Sequence, residues 1–234
     1  MSSDSNDATV LLVGASRGLG YALAAEYIER GSRVVATVRG SARTPLHELA
    51  DTAGGRLEIE HVDINSPEQI QGLRERLVAR RFDLLFVNAG VANDREETSA
   101  QVSTEEFTRL MVTNALSPMR VIQTLGELVD PDGTIAIMSS GLGSIANNSR
   151  GGWEIYRASK SALNQLMRSY AARHHDEKRT LLVMAPGWVK TEMGGPDASL
   201  TIEESIPNLV TTIDAQRGRP GLQYLDYLGR TVPW

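Results

Sequence analysis

Thr9-Val-Leu-Leu-Val-Gly-Ala-Ser-Arg-Gly-Leu-Gly20 sets a short β-branched and apolar run directly against a turn that holds Gly14, Gly18 and Gly20. The amphipathic segment Tyr21 to Arg30 follows at once. A strand that turns this tightly into a helix needs positions without a Cβ, so that backbone N–H groups can come close to a bound group. The helix N-terminus then adds a dipole that favours an anion. The stretch therefore predicts a strand, a phosphate-cradling loop and a helix, the opening unit of a doubly wound α/β sheet. Its spacing is G-x-x-x-G-x-G rather than the commoner G-x-G-x-x-G.

Outward from this unit, apolar runs recur at Arg33 to Val38, Leu57 to Val62, Phe82 to Val87, Thr134 to Met138 and Leu181 to Ala185, each separated by a longer amphipathic stretch. None alternates with period two, which predicts parallel strands buried on both faces. Helix starts are legible at Ser66-Pro67-Glu68-Gln69, Ser103-Thr104-Glu105-Glu106 and Thr201-Ile202-Glu203-Glu204, each with a capping residue and an acid or amide at the third helical position. A length of 234 residues with no dividing linker predicts one domain spanning residues 1–234. Met1 to Ala8, acidic and Ser-rich, reads as a disordered lead-in and the opposite of a secretory signal. Thr191 to Ser199 reads as a mobile loop.

Composition excludes several classes. A net charge of -5 without a basic cluster leaves no footprint for nucleic acid or for an anionic membrane surface, and no apolar run reaches spanning length. With no cysteine and four histidines, neither thiolate chemistry nor a metal site is expected. His174-His175 is expected at a helix end. The protein reads as cytoplasmic.

An NAD site usually places an acid at the end of the second strand to accept from the ribose 2′-hydroxyl. Here that place holds Val38 and then Arg39, and Arg17 lies within the glycine loop. Two guanidiniums suit a 2′-phosphate. At roughly 1.5 to 3 kcal/mol per charge-assisted bond they would favour NADP(H) over NAD by about a hundredfold. Asp63, past the third strand, and Asn88-Ala89-Gly90, past the fourth, extend the cofactor track along the carboxyl edge, with Asp63 facing the adenine amino group; each taken alone reads first as a turn residue.

At the end of the fifth strand comes Met138-Ser139-Ser140-Gly141, and then Tyr156-Arg-Ala-Ser-Lys160. Residues at i and i+4 share a helix face, so a phenol and an ammonium converge there. A free Tyr titrates near pH 10, so work near neutrality needs a shift of about three units, or about 4 kcal/mol. One ammonium about 4 Å away at an effective dielectric near 20 is worth about that much. The pattern predicts hydride transfer to a carbonyl carbon while Tyr156 protonates its oxygen, with a Ser hydroxyl holding that oxygen.

These residues together resemble the short-chain dehydrogenase/reductase family, over Val10 to about Thr191. Pro186-Gly-Trp-Val-Lys-Thr-Glu-Met-Gly-Gly195 and Tyr227-Leu-Gly-Arg-Thr-Val-Pro-Trp234 are similar to the small carbonyl-reductase branch that includes the sniffer reductase and the C-factor proteins. The resemblance implies a Rossmann-type parallel sheet of about seven strands with helices on both faces, and a catalytic set of Ser140, Tyr156, Lys160 and Asn114. Lys160 would bind the nicotinamide ribose, and Asn114 would hold a water against it. Gly14, Ser16, Arg17, Gly18, Leu19, Gly20, Arg39, Asp63, Ile64, Asn88, Ala89 and Gly90 would line the cofactor. Pro186, Gly187, Val189 and Thr191 would flank the nicotinamide, with residues 191–218 as substrate loop and short helix. Without the resemblance, Asn114 reads as a helix irregularity before Pro118.

Departures from the family pattern are Val13 for a Thr, Val87 for an Asn, and a longer segment from Gly141 to Ile155. That longer segment leaves open whether Ser139 or Ser140 meets the substrate. Leu142, Ile145, Trp153, Trp188 and Met193 are candidates for an apolar pocket. Pairing as a homodimer or homotetramer is implied through the Tyr156 and Asn114 helices, where Ala158, Ala162 and Ser169 are small, although short family members can be monomers. The leading expectation is an NADPH-dependent reductase of ketones or aldehydes, reversible toward alcohols. The alternative is a dinucleotide-binding sensor of the same fold, and a nucleotide-sugar epimerase ranks last.

Overall fold

The computed structural model describes residues 8–234, so the lead-in expected at the amino terminus lies outside the described residues except for Ala8. Ala8 is buried and its carbonyl accepts the N–H of Arg33, so it belongs to the fold. Strands β1 (Thr9–Val13), β2 (Arg33–Val38), β3 (Leu57–His61), β4 (Phe82–Val87), β5 (Val129–Met138), β6 (Thr180–Ala185) and β7 (Gly221–Asp226) form one sheet in the order β3-β2-β1-β4-β5-β6-β7. Every pairing is parallel. Helices α1 (Gly18–Glu29), α2 (Pro45–Thr52), α3 (Pro67–Leu77), α4 (Thr104–Met111), α5 (Ser117–Leu125), α6 (Glu154–Arg173) and α7 (Ile202–Ala215) supply the crossovers.

The unbroken apolar runs follow from burial on both sides. Leu11, Val35, Leu85, Ile137 and Val183 face a layer that holds Leu73 of α3, Ile122 of α5 and Leu163 of α6. Val10, Leu12, Ala36, Phe86 and Leu182 face the other, with Leu23 of α1, Leu46 of α2 and Leu209 of α7. Both clusters are buried, so apolar residues occupy both parities of strand position. The strand order reverses between β1 and β4, and the crevice outside their carboxyl ends is where such sheets bind ligands.

The three helix starts form as their sequences dictate. Ser66 accepts the Gln69 N–H, Ser103 accepts the Glu106 N–H, and Thr201 exchanges bonds with Glu204 in a complete capping box. His174 caps the end of α6. Two strands depart from the sequence reading. β5 begins at Val129, because Asp130-Pro-Asp-Gly133, a turn by composition, is instead accommodated as a register shift against Phe82 and Leu84. β7 is an edge strand with only Tyr224 and Leu225 buried, which is why no apolar run marks it. The helix after the 191–199 loop has 14 residues and is not short. Among the described residues no helix is long and apolar enough to cross a membrane, and no cluster of His, Asp and Glu could hold a metal ion.

Candidate active site

The glycine loop is built by close backbone approach. Gly14 has φ 92, and a Cβ there would stand 2.8 Å from Ala89. A Cβ on Gly20 would meet the Gly14 carbonyl at 2.1 Å and Asn88 Nδ2 at 2.6 Å. Asn88 Nδ2 donates to that carbonyl at 2.8 Å, and the amides of Asn88 and Ala89 both donate to the Val13 carbonyl. Asn88 therefore locks the loop onto β4, and Thr37 Oγ1 accepts the Gly14 N–H at 3.0 Å. Arg17 is the cap residue of α1, but no side chain caps the helix and its first turn holds no acid. These free amides and the absence of a Cβ at Gly18, around which nothing lies within 4 Å, suit a phosphate group.

Arg17 and Arg39 are both exposed beside this loop. Arg17 forms an ion pair with Glu192 at 2.6 Å, which links the glycine loop to the segment after β6. That segment is ordered by its own bonds, since Trp188 Nε1 donates to the Gly194 carbonyl at 2.8 Å and Gly194 donates to Thr191 Oγ1 at 3.0 Å. Gly187 has φ 84, Val189 is buried and bridges to Leu200, and the Pro186 carbonyl accepts from Ser205 Oγ. Asp63 uses one carboxylate oxygen to accept the Asn65 N–H at 2.9 Å, Ile64 is buried in the core, and Ser16 and Leu19 lie half-buried at the start of α1.

At the other end of the crevice, α6 brings Tyr156 and Lys160 together under the end of β5. Lys160 is 3% exposed; its ammonium lies 5.8 Å from the Tyr156 ring centroid and donates to the Met138 carbonyl at 3.0 Å. Burial lowers Lys160 to about 8. Burial likewise pushes the Tyr156 phenol up to about 12, opposed by a hydrogen bond with Ser140, while Tyr224 adds to the rise. The ammonium is thus engaged with a carbonyl and is not the group that sets the phenol here. Ser140 Oγ also accepts the Leu142 N–H at 3.1 Å. Ser139 Oγ is turned away, donating to Asn164 Oδ1 at 2.7 Å in the interior, so of the two serines it is Ser140 that meets Tyr156.

Asn114 lies in a π-helical turn, Val112–Leu116, so the irregularity legible before Pro118 is real. Its amide donates to the Val91 carbonyl and to Ser159 Oγ, and its Oδ1 accepts the Val91 N–H at 2.8 Å. A Cβ on Gly90 would lie 3.3 Å from Asn114 Oδ1 and 3.4 Å from Lys160 Nζ, which places Gly90 between the two. Trp153, the only described non-glycine residue with positive φ, at 55, sets its ring 5.6 Å from that of Tyr156 and tilted 59° to it. The candidate pocket residues do not form one cavity. Leu142 and Ile145 line a space of about 330 Å³ with Glu154 and Arg157, whereas Trp153, Trp188 and Met193 lie outside it. Sequence reasoning missed Asn164 and Tyr224. The first was findable, because it continues the i, i+4 row of Tyr156 and Lys160 by one more turn.

Sheet order, crevice and glycine turn define a doubly wound protein of Rossmann type. The short chain dehydrogenase family model matches residues 8–199, and the chain belongs to that family of oxidoreductases. A short-chain dehydrogenase/reductase from Burkholderia multivorans, with bound NADP, is 59% identical and superposes with a TM-score of 0.96 over 97% of this chain and 100% of that one. The carbonyl reductase Sniffer of D. melanogaster is 26% identical with a TM-score of 0.86, over 97% of this chain and 99% of that one. The C-signal protein of Myxococcus xanthus is 35% identical over 154 residues, 65% of this chain and 92% of its own length.

Proposed function

We propose that the protein is an NADP(H)-dependent carbonyl reductase that converts a ketone or aldehyde to an alcohol, reversibly. The observation that carries this reading is the convergence of Ser140, Tyr156 and Lys160 at the carboxyl edge, in the same crevice as the glycine loop. The Burkholderia relative with NADP and the carbonyl-reductase relative support it. The cofactor would supply the hydride. The amides of the Gly14–Gly20 turn and the α1 terminus bind its phosphates, and Arg17 and Arg39 take a 2′-phosphate once Arg17 leaves Glu192. Ser140 Oγ donates to the substrate oxygen and orients it toward Tyr156. A phenol raised to about 12 is fully protonated at neutral pH, so Tyr156 enters as the acid and delivers its proton to that oxygen. Lys160, still largely protonated near neutrality, binds the ribose hydroxyls and offsets the phenolate left behind. Asn114 fixes Val91 and the start of α6 around them.

Assembly is proposed through the π-helical turn at Val112–Leu116 and α6. Leu116 and Leu166, 41% and 39% exposed, border an apolar groove of about 340 Å³ with Met111, Val112, Ala115 and Ala162. Ala162 is small enough to admit a second copy closely.

The test mixes protein and NADPH with a panel of ketones, aldehydes and diketones and follows NADPH oxidation. Turnover is expected, with Tyr156→Phe reduced by more than about a thousandfold and cofactor affinity retained. Cofactor binding without oxidation on every substrate, or an undiminished variant, would favour a sensor role instead.

A further inference from the structure

Three consecutive residues at the end of β5 are each held by a different side chain. Lys160 donates to the Met138 carbonyl at 3.0 Å, Ser139 Oγ donates to Asn164 Oδ1 at 2.7 Å, and the Tyr224 hydroxyl donates to the Ser140 carbonyl. Of the three holding side chains, Lys160, Asn164 and Tyr224, only Lys160 takes part in the reaction proposed above. The Ser140 carbonyl also accepts the Gly143 N–H at 2.9 Å, so both of its lone-pair directions are occupied. Asn164 in turn donates to the Gly143 carbonyl at 3.2 Å, which Ser161 Oγ also reaches at 3.0 Å.

Tyr224 is 1% exposed and comes from the edge strand β7. Its ring lies 5.2 Å from that of Trp234, and the Arg168 guanidinium covers the indole at 4.9 Å. The Trp234 carbonyl accepts the Ala146 N–H at 3.1 Å, so the same residue that backs Tyr224 also ties down the long segment after Ser140. A phenylalanine at 224 would fill the same volume and keep the ring contact. What the hydroxyl adds is hydrogen bonding at the end of β5: a bond to the carbonyl of the peptide that carries Ser140, with further polar contact to Ser139 and Asn164.

We propose that Tyr224, supported by Asn164, is a positioning residue that fixes the Ser140–Gly141 peptide and so aims Ser140 Oγ at the Tyr156 phenol and the substrate oxygen. The proposal rests on the carbonyl-reductase reading for its kinetic consequence, and on geometry alone for its structural one. Tyr224 reaches Ser140 through the carbonyl bond, and apart from that bond it bears on the proposed acid only by adding to the rise of the Tyr156 phenol, which does not require the Ser140 hydroxyl. The positioning part of its effect must therefore vanish when the Ser140 hydroxyl is gone.

The test is a double-mutant cycle on Tyr224→Phe and Ser140→Ala, with amide hydrogen exchange on the wild type and Tyr224→Phe. Tyr224→Phe is expected to lower kcat about tenfold, the equivalent of about 1.4 kcal/mol, without changing the KM for NADPH. In the Ser140→Ala background the same substitution should change kcat by less than about twofold. The Leu142 amide, bonded to Ser140 Oγ, should exchange faster in Tyr224→Phe while the amides of β6 keep their rates. An unchanged kcat, or an equal loss in both backgrounds, overturns the proposal. If the wild type reduces no carbonyl, the functional reading fails and exchange decides: faster exchange confined to Leu142 and Gly143 supports the positioning role, and unchanged or sheet-wide exchange overturns it.

Discussion

Lys160 and Tyr156 are displaced from their ordinary values in opposite directions by one cause, burial, and the two displacements separate on the pH axis. Folding lowers Lys160 from 10.5 to about 8, so between these values the unfolded chain binds more protons and stability rises with pH. The raised phenol acts the other way, but only above its unfolded value of 10.0. In the absence of cofactor, the difference in melting temperature between wild type and Lys160→Met should therefore move in favour of the wild type from about pH 8 to about pH 10. A flat difference across that window would show the ammonium to be solvated. The arginines make a second prediction at this scale. Arg17→Ala with Arg39→Ala should cut the NADPH over NADH ratio of kcat/KM by about a hundredfold, whereas equal wild-type constants for the two cofactors would remove their assigned role. Because the Arg17–Glu192 pair is exposed, it competes only weakly for that guanidinium.

The π-helical turn Val112–Leu116 brings Asn114 inward, where its side chain makes three bonds, two of them standing in for a backbone partner of Val91 and the third to Ser159 Oγ. Asn114→Ala should cost about 2 to 4 kcal/mol in denaturant unfolding, since it strands both polar groups of one peptide, and a loss under about 0.5 kcal/mol would show that water replaces them. The elements most legible in the sequence were those fixed by local chemistry. Ser66, Ser103 and Thr201 announce their helices, and the strands buried on both faces announce themselves by unbroken apolar runs. The loop glycines and the Tyr156–Lys160 spacing exposed the site for the same reason. What stayed hidden depends on tertiary context. Tyr224 sits on an edge strand with little apolar signal, and its link to Ser140 spans 84 residues. The start of β5 was hidden by a turn-like sequence that the sheet absorbs as a bulge.

In the whole molecule, the sheet places every candidate group at one edge. β1 and β4 end in the loop and its lock, β5 in the serines, and β6 in the segment that reaches back to Arg17. The apolar groove between the π-helical turn and α6 predicts a particle of two or four chains. Leu166→Asp should reduce its mass in light scattering to one chain while leaving the fold intact, and an unchanged mass would move the interface elsewhere. Hydride passing to a carbonyl carbon with Tyr156 as the proton donor is the central step of the proposed function. Single-turnover reduction with NADPH deuterated at the nicotinamide C4 position tests it most directly, read by mass spectrometry of the alcohol. One deuterium is expected on the carbinol carbon with wild type and almost none with Tyr156→Phe at equal cofactor occupancy. Deuterium retained entirely in the cofactor with wild type, or equal transfer by the variant, would contradict it.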